Sequence, residues 1–264
     1  MKKYLRVVIN TWDEIVTYRL NFVMWRVRTV VQLLTLYFLW ISVIPQNGEI
    51  FGYTQSLMLT YILGTSLLGA IVFSTRSHEI GENISNGDLS IFLIRPINYF
   101  FYWVGRDIGD KLMNIAFSVV ELAILFFLLR PPIFIQTDSM FIVLALIATL
   151  LAIVSYFLLG AILGMFGFWS SDVWAPRFIL FITLSFFAGG LFPLDILPPF
   201  LSFLSQVLPF SYLLYFPLKV YLGQLPLISI HIGLLVSFAW TILLFFLLGF
   251  VWRKGLKAYT AVGR

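Results

Sequence analysis

The sequence has no cysteine, only two histidines and few charged residues. The absence of cysteine excludes disulfides, thiolate metal sites and a cysteine nucleophile. His78 and His231 lie far apart in the sequence, which argues against a metal site built on histidines. No lysine precedes a serine or threonine, so a P-loop ending in Gly-Lys-Ser/Thr is excluded. We therefore expect neither a metal nor another cofactor on this chain.

Motifs of membrane-embedded enzymes are missing as well. The sequence has no His-Glu-x-x-His, no Gly-x-Ser-x-Gly and no paired aspartates within an apolar run. A hydrolytic site needs such groups gathered at one depth. The chain is therefore expected to bind, move or gate something rather than to catalyse a reaction.

Apolar residues dominate the composition. They make up 61% of the chain, charged residues make up 11%, and the mean hydropathy is +0.98. A soluble domain has about 45–50% apolar and about 25% charged residues. The sequence therefore predicts an all-α integral membrane protein, a single transmembrane domain over residues 1–264. In a membrane protein, the net charge of +5 bears on how the chain is oriented across the bilayer. We do not expect nucleic acid as a partner.

Residues 1–20 predict an amphipathic helix that lies in the membrane interface and contacts lipid. Apolar side chains recur at steps of three and four residues, as in Leu5, Val8, Trp12 and Ile15. The charged residues lie largely off this stripe: Lys2, Lys3, Arg6, Asp13 and Glu14. Because no uninterrupted apolar core precedes a cleavage site, the segment is not typical of a secretory signal.

Six apolar segments are long enough to span a bilayer, which takes about 20 residues. They are residues 22–44, 55–75, 112–129, 140–168, 174–192 and 227–252. If both termini are cytoplasmic, only Arg130 and Lys219 of the 17 lysines and arginines lie outside. This asymmetry predicts cytoplasmic termini and a multi-pass protein of the cell membrane.

Residues 191–226 are expected to form a long external segment that is apolar but interrupted by five prolines between residues 193 and 217. Prolines at this density prevent one continuous helix. We expect short helices that re-enter the outer leaflet, because irregular backbone at that depth must be buried or line a wet cavity. A seventh and an eighth span are the alternative.

Polar residues within the predicted spans are rare. Asn114, Ser118 and Glu121 share one stripe of the third span. They could line a translocation path, or Glu121 could hold helices together through hydrogen bonds. In the fourth span, Gly160, Gly164 and Gly167 permit close helix approach, either within the chain or in a dimer.

The predicted cytoplasmic loop 76–111 carries the sequence EIGENISNGDLSIFLIRPI. It has Glu79 and Glu82, then Gly87, with a leucine two residues later and Pro96 nine residues later. With the six-span pattern, this loop resembles that of permease subunits of type-2 ABC exporters. Asp88 stands where these proteins usually have threonine, and Ser90 where they have glutamate. The LIRPI and YRLNF segments are similar to those of an uncharacterised subgroup.

The resemblance implies that the loop carries a coupling helix. Residues 77–86 predict a short helix that ends at Asn86-Gly87. The residues expected to contact a separate ATPase are Glu79, Glu82, Asn83, Ser85, Gly87 and Asp88. Arg95 and Pro96 would anchor the loop, and the aromatic residues that follow would lie at the inner membrane interface.

The resulting hypothesis is a permease subunit of an ATP-driven exporter. ATP and Mg²⁺ would be bound by the separate ATPase, and a second permease chain, identical or paralogous, would complete the assembly. An autonomous secondary transporter or channel is one alternative, and a membrane scaffold without transport is another. The apolar composition suits an amphipathic cargo and equally suits lipid-facing surfaces, so the substrate stays open.

Overall fold

The computed structural model describes residues 2–46 and 48–260. Met1 of the predicted interfacial helix, and Arg264, which was assigned to the cytoplasmic side, lie outside the described residues. The helices of the described part follow in chain order: α1 (Lys2–Thr17), α2 (Arg19–Val43), α3 (Gln55–Val72), α4 (Glu79–Ser85), α5 (Leu89–Ile94), α6 (Tyr99–Leu129), α7 (Ser139–Gly164), α8 (Trp174–Phe187), α9 (Pro199–Val207), α10 (Tyr215–Tyr221) and α11 (Leu227–Ala258). A short hairpin, β1 (Glu49–Ile50) and β2 (Tyr53–Thr54), joins α2 to α3. The all-α membrane architecture is confirmed.

Side-chain caps mark where several of the long helices begin. Thr54 accepts a hydrogen bond from the Leu57 amide at the start of α3, and Asp138 accepts one from the Met140 amide at the start of α7. Such caps satisfy amide groups that have no partner within the helix. At the far end of α6, Arg130 adopts a left-handed conformation before two prolines, which cannot continue the helix.

Within the described residues, five helices are long and apolar enough to cross a membrane. They are α2, α3, α6, α11, and α7 together with the 3-10 helix Met165–Phe168 that continues it. The remaining predicted span, 174–192, contains α8, which has only 14 residues. At 1.5 Å per residue α8 is about 21 Å long, less than the roughly 30 Å of hydrocarbon. The count of six spans and the cytoplasmic termini stay predictions.

Helix α8 ends early because the backbone turns at Gly189. This residue has a φ of +81°, which favours glycine. The Tyr61 hydroxyl donates to the Gly189 carbonyl at 2.6 Å, and the Tyr215 amide donates to the Ala188 carbonyl at 3.0 Å. These bonds tie the end of α8 to α3 and to the external segment.

The third span was predicted to begin at residue 112, but α6 begins at Tyr99. Four charged residues lower the hydropathy of the stretch between these two positions: Arg106, Asp107, Asp110 and Lys111. The structure pairs these charges with neighbouring groups. The aromatic residues expected at the membrane interface form the first turns of α6, where Tyr99 stacks on Trp252 of α11. The start of the span at residue 112 and the interfacial anchor stay predictions.

Helix α1 packs along α6. At Gly105 and Gly109 an added Cβ would meet α1, at 3.3 Å from Val7 and 2.9 Å from Thr11 respectively, so α6 needs glycine to let α1 approach. The predicted apolar stripe divides between two sides of the helix. Ile15 is buried, whereas 63% of Leu5 is exposed.

The segment of residues 191–226, predicted to be external, consists of short helical pieces, as the prolines indicated. Two 3-10 helices, Leu194–Ile196 and Pro209–Tyr212, alternate with α9 and α10. Lys219 of α10 is buried and donates to Asp195 at 2.7 Å and to the Tyr53 hydroxyl at 3.0 Å. This polar cluster joins the segment to the β1–β2 hairpin.

Candidate functional site

Helix α4 stops where the sequence indicated. Gly87 has a φ of +84°, a left-handed conformation that ends the helix and favours glycine. The turn is held from the other end of the chain, because Tyr259 donates to the Gly87 carbonyl at 2.7 Å. The same hydroxyl accepts the Ser90 amide at 3.1 Å.

Helix α4 packs tightly against the C-terminal end of α7 and the 3-10 helix that continues it. A Cβ added to Gly164 would lie 2.9 Å from the Cβ of Ile80, and one added to Gly167 would collide with the Gly81 carbonyl oxygen. At Gly160 an added Cβ would overlap the Ser77 hydroxyl. The glycine stripe of the fourth span therefore serves packing within the chain. Backbone meets backbone here, so no side chain separates α4 from the 3-10 helix that continues α7.

An ionic network joins the loop to α1 and α6. Arg76 lies 2.7 Å from Glu79 and 2.9 Å from Asp110, and Arg106 lies 2.7 Å from Glu14 and 3.1 Å from Glu79. Burial alone would lower the pKa of Arg76, but the hydrogen bond that Arg76 donates to Glu79 and the charge of Asp110 raise this pKa overall. Glu79, expected to contact an ATPase, thus has its carboxylate engaged inside the chain.

The other predicted contact residues on α4 differ in exposure. Asn83 accepts a hydrogen bond from the Tyr99 hydroxyl at 3.0 Å, and the Ser85 hydroxyl donates to the Glu82 carbonyl at 3.2 Å. The Glu82 side chain is 59% exposed, and its carboxylate lies 3.3 Å from the Arg177 guanidinium of α8. Asp88 is exposed as well, together with Asn86. The polar surface left at the tip of α4 consists of Glu82, Asn86 and Asp88.

Beyond α5, the chain is attached to the N-terminal helix. Lys3 donates to the Pro96 carbonyl at 2.6 Å, and the Asn98 amide donates to the Tyr4 hydroxyl at 3.3 Å. Arg95 is exposed. The segment expected to be an anchor is therefore held by α1 through its backbone.

The polar stripe of α6 binds an arginine from α2. Arg26, buried, donates to Glu121 at 2.8 Å, to Ser118 at 2.9 Å and to Asn114 at 3.4 Å. Each of the three predicted residues thus contacts the same guanidinium. A charged pair within a membrane helix bundle is stable only when both partners are engaged in this way. The contacts fit the helix-joining interpretation of Glu121 and explain why an arginine occurs within the first apolar segment.

A cleft of about 1130 Å³ lies between α2, α3 and α8 and reaches the inner loop. Aromatic side chains line much of it, among them Trp25 and Phe181, and the Arg28 guanidinium lies between these two rings, 4.9 and 5.6 Å from their centroids. Arg177 also faces the cleft, as do Arg26 and Asn114. The ion-paired inner loop therefore borders a cavity large enough for an amphipathic molecule.

The sequence of this chain also matches a known family. The model described as ABC-2 family transporter protein covers residues 30–263. The chain belongs to this family. Because it belongs to this family and has several helices long and apolar enough to cross a membrane, the chain is a multi-pass membrane permease of the ABC-2 type. A comparison with curated proteins gives no match.

In this ABC-2 transporter protein, the family match includes α4, the C-terminal end of α7 and the cleft walls formed by α3 and α8. Helix α1 and the first part of α2, which carries Arg26 and Arg28, precede residue 30. Sequence reasoning identified α4 and the α6 stripe but missed their partners, Arg177 and Arg26 respectively. The signal that could have found these arginines is their position in or beside apolar segments, because a charged group there needs a carboxylate partner. Which carboxylate each cation meets depends on helix packing, which single-helix periodicity does not specify.

Proposed function

We propose that the chain is the permease subunit of an ATP-driven exporter and that α4 docks on a separate ATPase, which binds ATP and Mg²⁺. The observation that carries the proposal is the two-sided character of α4. Its inner side is wedged against α7 and tied to α1 and α6, while Glu82, Asn86 and Asp88 remain exposed at its tip. A short, firmly held helix with an exposed polar tip is suited to transmit a force from a partner.

Transmission would proceed through the contacts around α4. ATP binding would draw two ATPases together and displace the α4 tip. Because Gly81 meets Gly167 at backbone distance, the inner end of α7 would follow. The network of Arg76, Glu79 and Arg106 would carry the displacement to α1 and α6. The ATPase would thereby favour one of two arrangements of the helices around the cleft.

A second permease chain, identical or paralogous, would cover the open side of the cleft. The walls of a single chain expose charged Arg28 and apolar side chains such as Phe178 and Phe181. A guanidinium that is exposed to lipid costs free energy. A second chain that faces the cleft would shield Arg28 from lipid and enclose a shared path. Asn114 and Arg26 line this cleft, so the α6 stripe would form part of the wall of that path.

In the membrane, the proposed arrangement has six crossings with both termini cytoplasmic. The fifth crossing would be made by α8 extended by the residues that follow Ala188. The pieces between residues 191 and 226 would re-enter the outer leaflet and cover the external end of the cleft. Helix α1 would lie along the inner leaflet of the cell membrane with its exposed apolar residues, Leu5 and Val16 among them, against lipid.

Purification from native membranes tests the function. A tagged permease is solubilised in mild detergent, and the copurifying proteins are identified by mass spectrometry. We expect a stoichiometric partner with a P-loop ATPase sequence, whose ATP hydrolysis rate changes when the permease is present. An autonomous transporter or a scaffold would be recovered without an ATPase, and that result would contradict the proposal.

A further inference from the structure

We propose that Arg28 and Arg177 form a binding site for the anionic group of an amphipathic ligand at the inner end of the cleft, and that Glu82 competes for Arg177. The inference rests on the proposed function only in treating the cleft as part of the transport path. The ligand chemistry shared by lipid and free cargo is an anionic head group, carboxylate or phosphate, attached to an apolar body.

The two arginines face the same part of the cleft. Arg177 and Phe181 lie four residues apart on α8, so they share one face of the helix. The Arg28 guanidinium of α2 lies 5.6 Å from the centroid of the Phe181 ring. Both arginines line the cleft. Arg28 and Arg177 are therefore each related to Phe181, one through its ring and one through the shared helix face, and both border the same cleft.

Both arginines have N–H donors that no carboxylate in the described residues occupies. Within the described part of the chain, no carboxylate pairs with Arg28, whose charge rests on the rings of Trp25 and Phe181. Arg177 has one carboxylate contact, at 3.3 Å, with Glu82. A guanidinium has five N–H donors and fits a carboxylate or phosphate in bidentate geometry. An incoming anion would use donors that are free.

The carboxylates of the cleft are, in contrast, already neutralised. Asp110 lies 2.9 Å from Arg76, and Glu14 lies 2.7 Å from Arg106. A cationic ligand would have to displace these arginines, whereas an anionic ligand has only the exposed Glu82 to displace. The charge pattern therefore favours an anion.

The remaining walls suit an apolar body. Trp174 and Phe178 stack at 4.8 Å next to Arg177, and Phe22 and Phe73 line the cleft further along. Flat aromatic surfaces receive hydrocarbon and aromatic groups without a fixed hydrogen-bond pattern. The site would thus be selective for the charge of its ligand and would accept apolar parts of different shape.

Glu82 gives the site a link to the coupling helix. While its carboxylate holds Arg177, that guanidinium is partly occupied. An ATPase cation that attracts Glu82 would release Arg177 to the ligand. Docking of the partner and tighter binding of the anion would then favour each other, as reciprocal coupling requires.

The test measures binding to the full-length permease in nanodiscs of zwitterionic lipid, without ATPase, so that it is independent of the proposed partner. The fluorescent probes are dansylamino-undecanoate, its uncharged amide and a trimethylammonium analogue, each corrected for binding to empty nanodiscs. We expect the carboxylate probe to bind at least about tenfold more tightly than the other two, since charge-assisted hydrogen bonds supply the difference.

Four variants test where the head group binds. Arg28→Gln and Arg177→Gln should each weaken binding of the carboxylate probe about tenfold or more, while Arg253→Gln, which removes an exposed cation elsewhere, should not. Glu82→Gln should strengthen binding of this probe by about two- to fivefold, because Arg177 loses one exposed ion pair. A misfolded protein cannot give this gain.

Addition of phosphatidylglycerol to the nanodiscs separates the two ligand sources. Displacement of the probe identifies a lipid head group as occupant, and retention of the probe identifies a free amphiphile; either result supports an anion site. Equal binding of the three probes, or unchanged affinity in both arginine variants, would overturn the proposal. Failure of the ATPase to copurify would leave these binding results unaffected.

Discussion

Glu82 of α4 and Arg177 of α8 form an ion pair of 3.3 Å that joins the inner loop to a wall of the cleft. The carboxylate is more exposed than the guanidinium, with 59% of its side chain accessible against 30%. An exposed pair of this kind contributes about 0–1 kcal/mol, so it can be exchanged at little cost. Through this contact an event at the tip of α4 reaches α8 directly, which makes the pair a suitable switch.

The Arg26–Glu121 pair should behave as a structural clamp. Glu121→Gln or Arg26→Gln alone leaves one buried charge without its partner, which costs about 3–5 kcal/mol. The double variant Arg26→Gln/Glu121→Gln leaves two neutral amides and should recover much of that loss. Thermal unfolding of the purified permease in detergent measures the difference. If Glu121→Gln instead keeps the wild-type unfolding temperature and loses only transport, the residue acts in the translocation path.

The contact between α4 and α7 predicts a contrast between two glycines. Gly167→Ala places a methyl group against the Gly81 carbonyl oxygen and should cost about 1–3 kcal/mol through displacement of α4. Gly249→Ala, in α11, meets nothing within 4 Å and should be neutral or stabilising by up to about 1 kcal/mol. Unfolding temperatures of the two variants, measured side by side, check this. Equal effects would mean that α4 is not wedged.

His78, next to α4, predicts a dependence of stability on pH. Burial lowers the pKa of His78 below the usual 6.5, and the charge of Arg177 lowers it further. The unfolded chain therefore binds a proton that the folded chain does not, so stability is lost as the pH falls through about 6.5. His78→Gln should reduce the loss of unfolding temperature between pH 7.5 and 5.5. An identical loss in wild type and His78→Gln would contradict this reasoning.

Sequence periodicity predicted the long helices and the αL stop at Gly87 because both depend on local properties. The proline-broken segment was predictable for the same reason, since proline acts on its own backbone. Hydropathy did not indicate that α6 begins as early as Tyr99, because the first part of this helix carries charged residues. There Asp107 pairs with Lys111 and Arg106 pairs with Glu14. Charges that neutralise each other in the fold lower the apolar score of a helix without shortening it.

The cleft and its arginines could not be predicted because they depend on contacts between distant segments. Arg26 meets Glu121 across 95 residues of sequence, and Glu82 meets Arg177 across the same separation. Glu79 and Glu82 belong to one short helix and look alike in sequence. Only packing distinguishes them, since Glu79 points toward Arg76 and Arg106 while Glu82 remains exposed.

Affinity of the ATPase for the permease with Glu82 and Arg177 exchanged tests the coupling role of α4 most directly. Glu82→Arg reverses the charge at the exposed tip, and repulsion at a docked interface should weaken ATPase binding by at least roughly 30-fold, or about 2 kcal/mol. This variant also repels Arg177, so Glu82→Arg/Arg177→Glu restores the internal pair with its charges reversed. We expect the exchanged variant to keep the wild-type unfolding temperature and to bind the ATPase as weakly as Glu82→Arg does. Recovery of ATPase binding in the exchanged variant, or normal binding with Glu82→Arg alone, would contradict docking through the tip of α4.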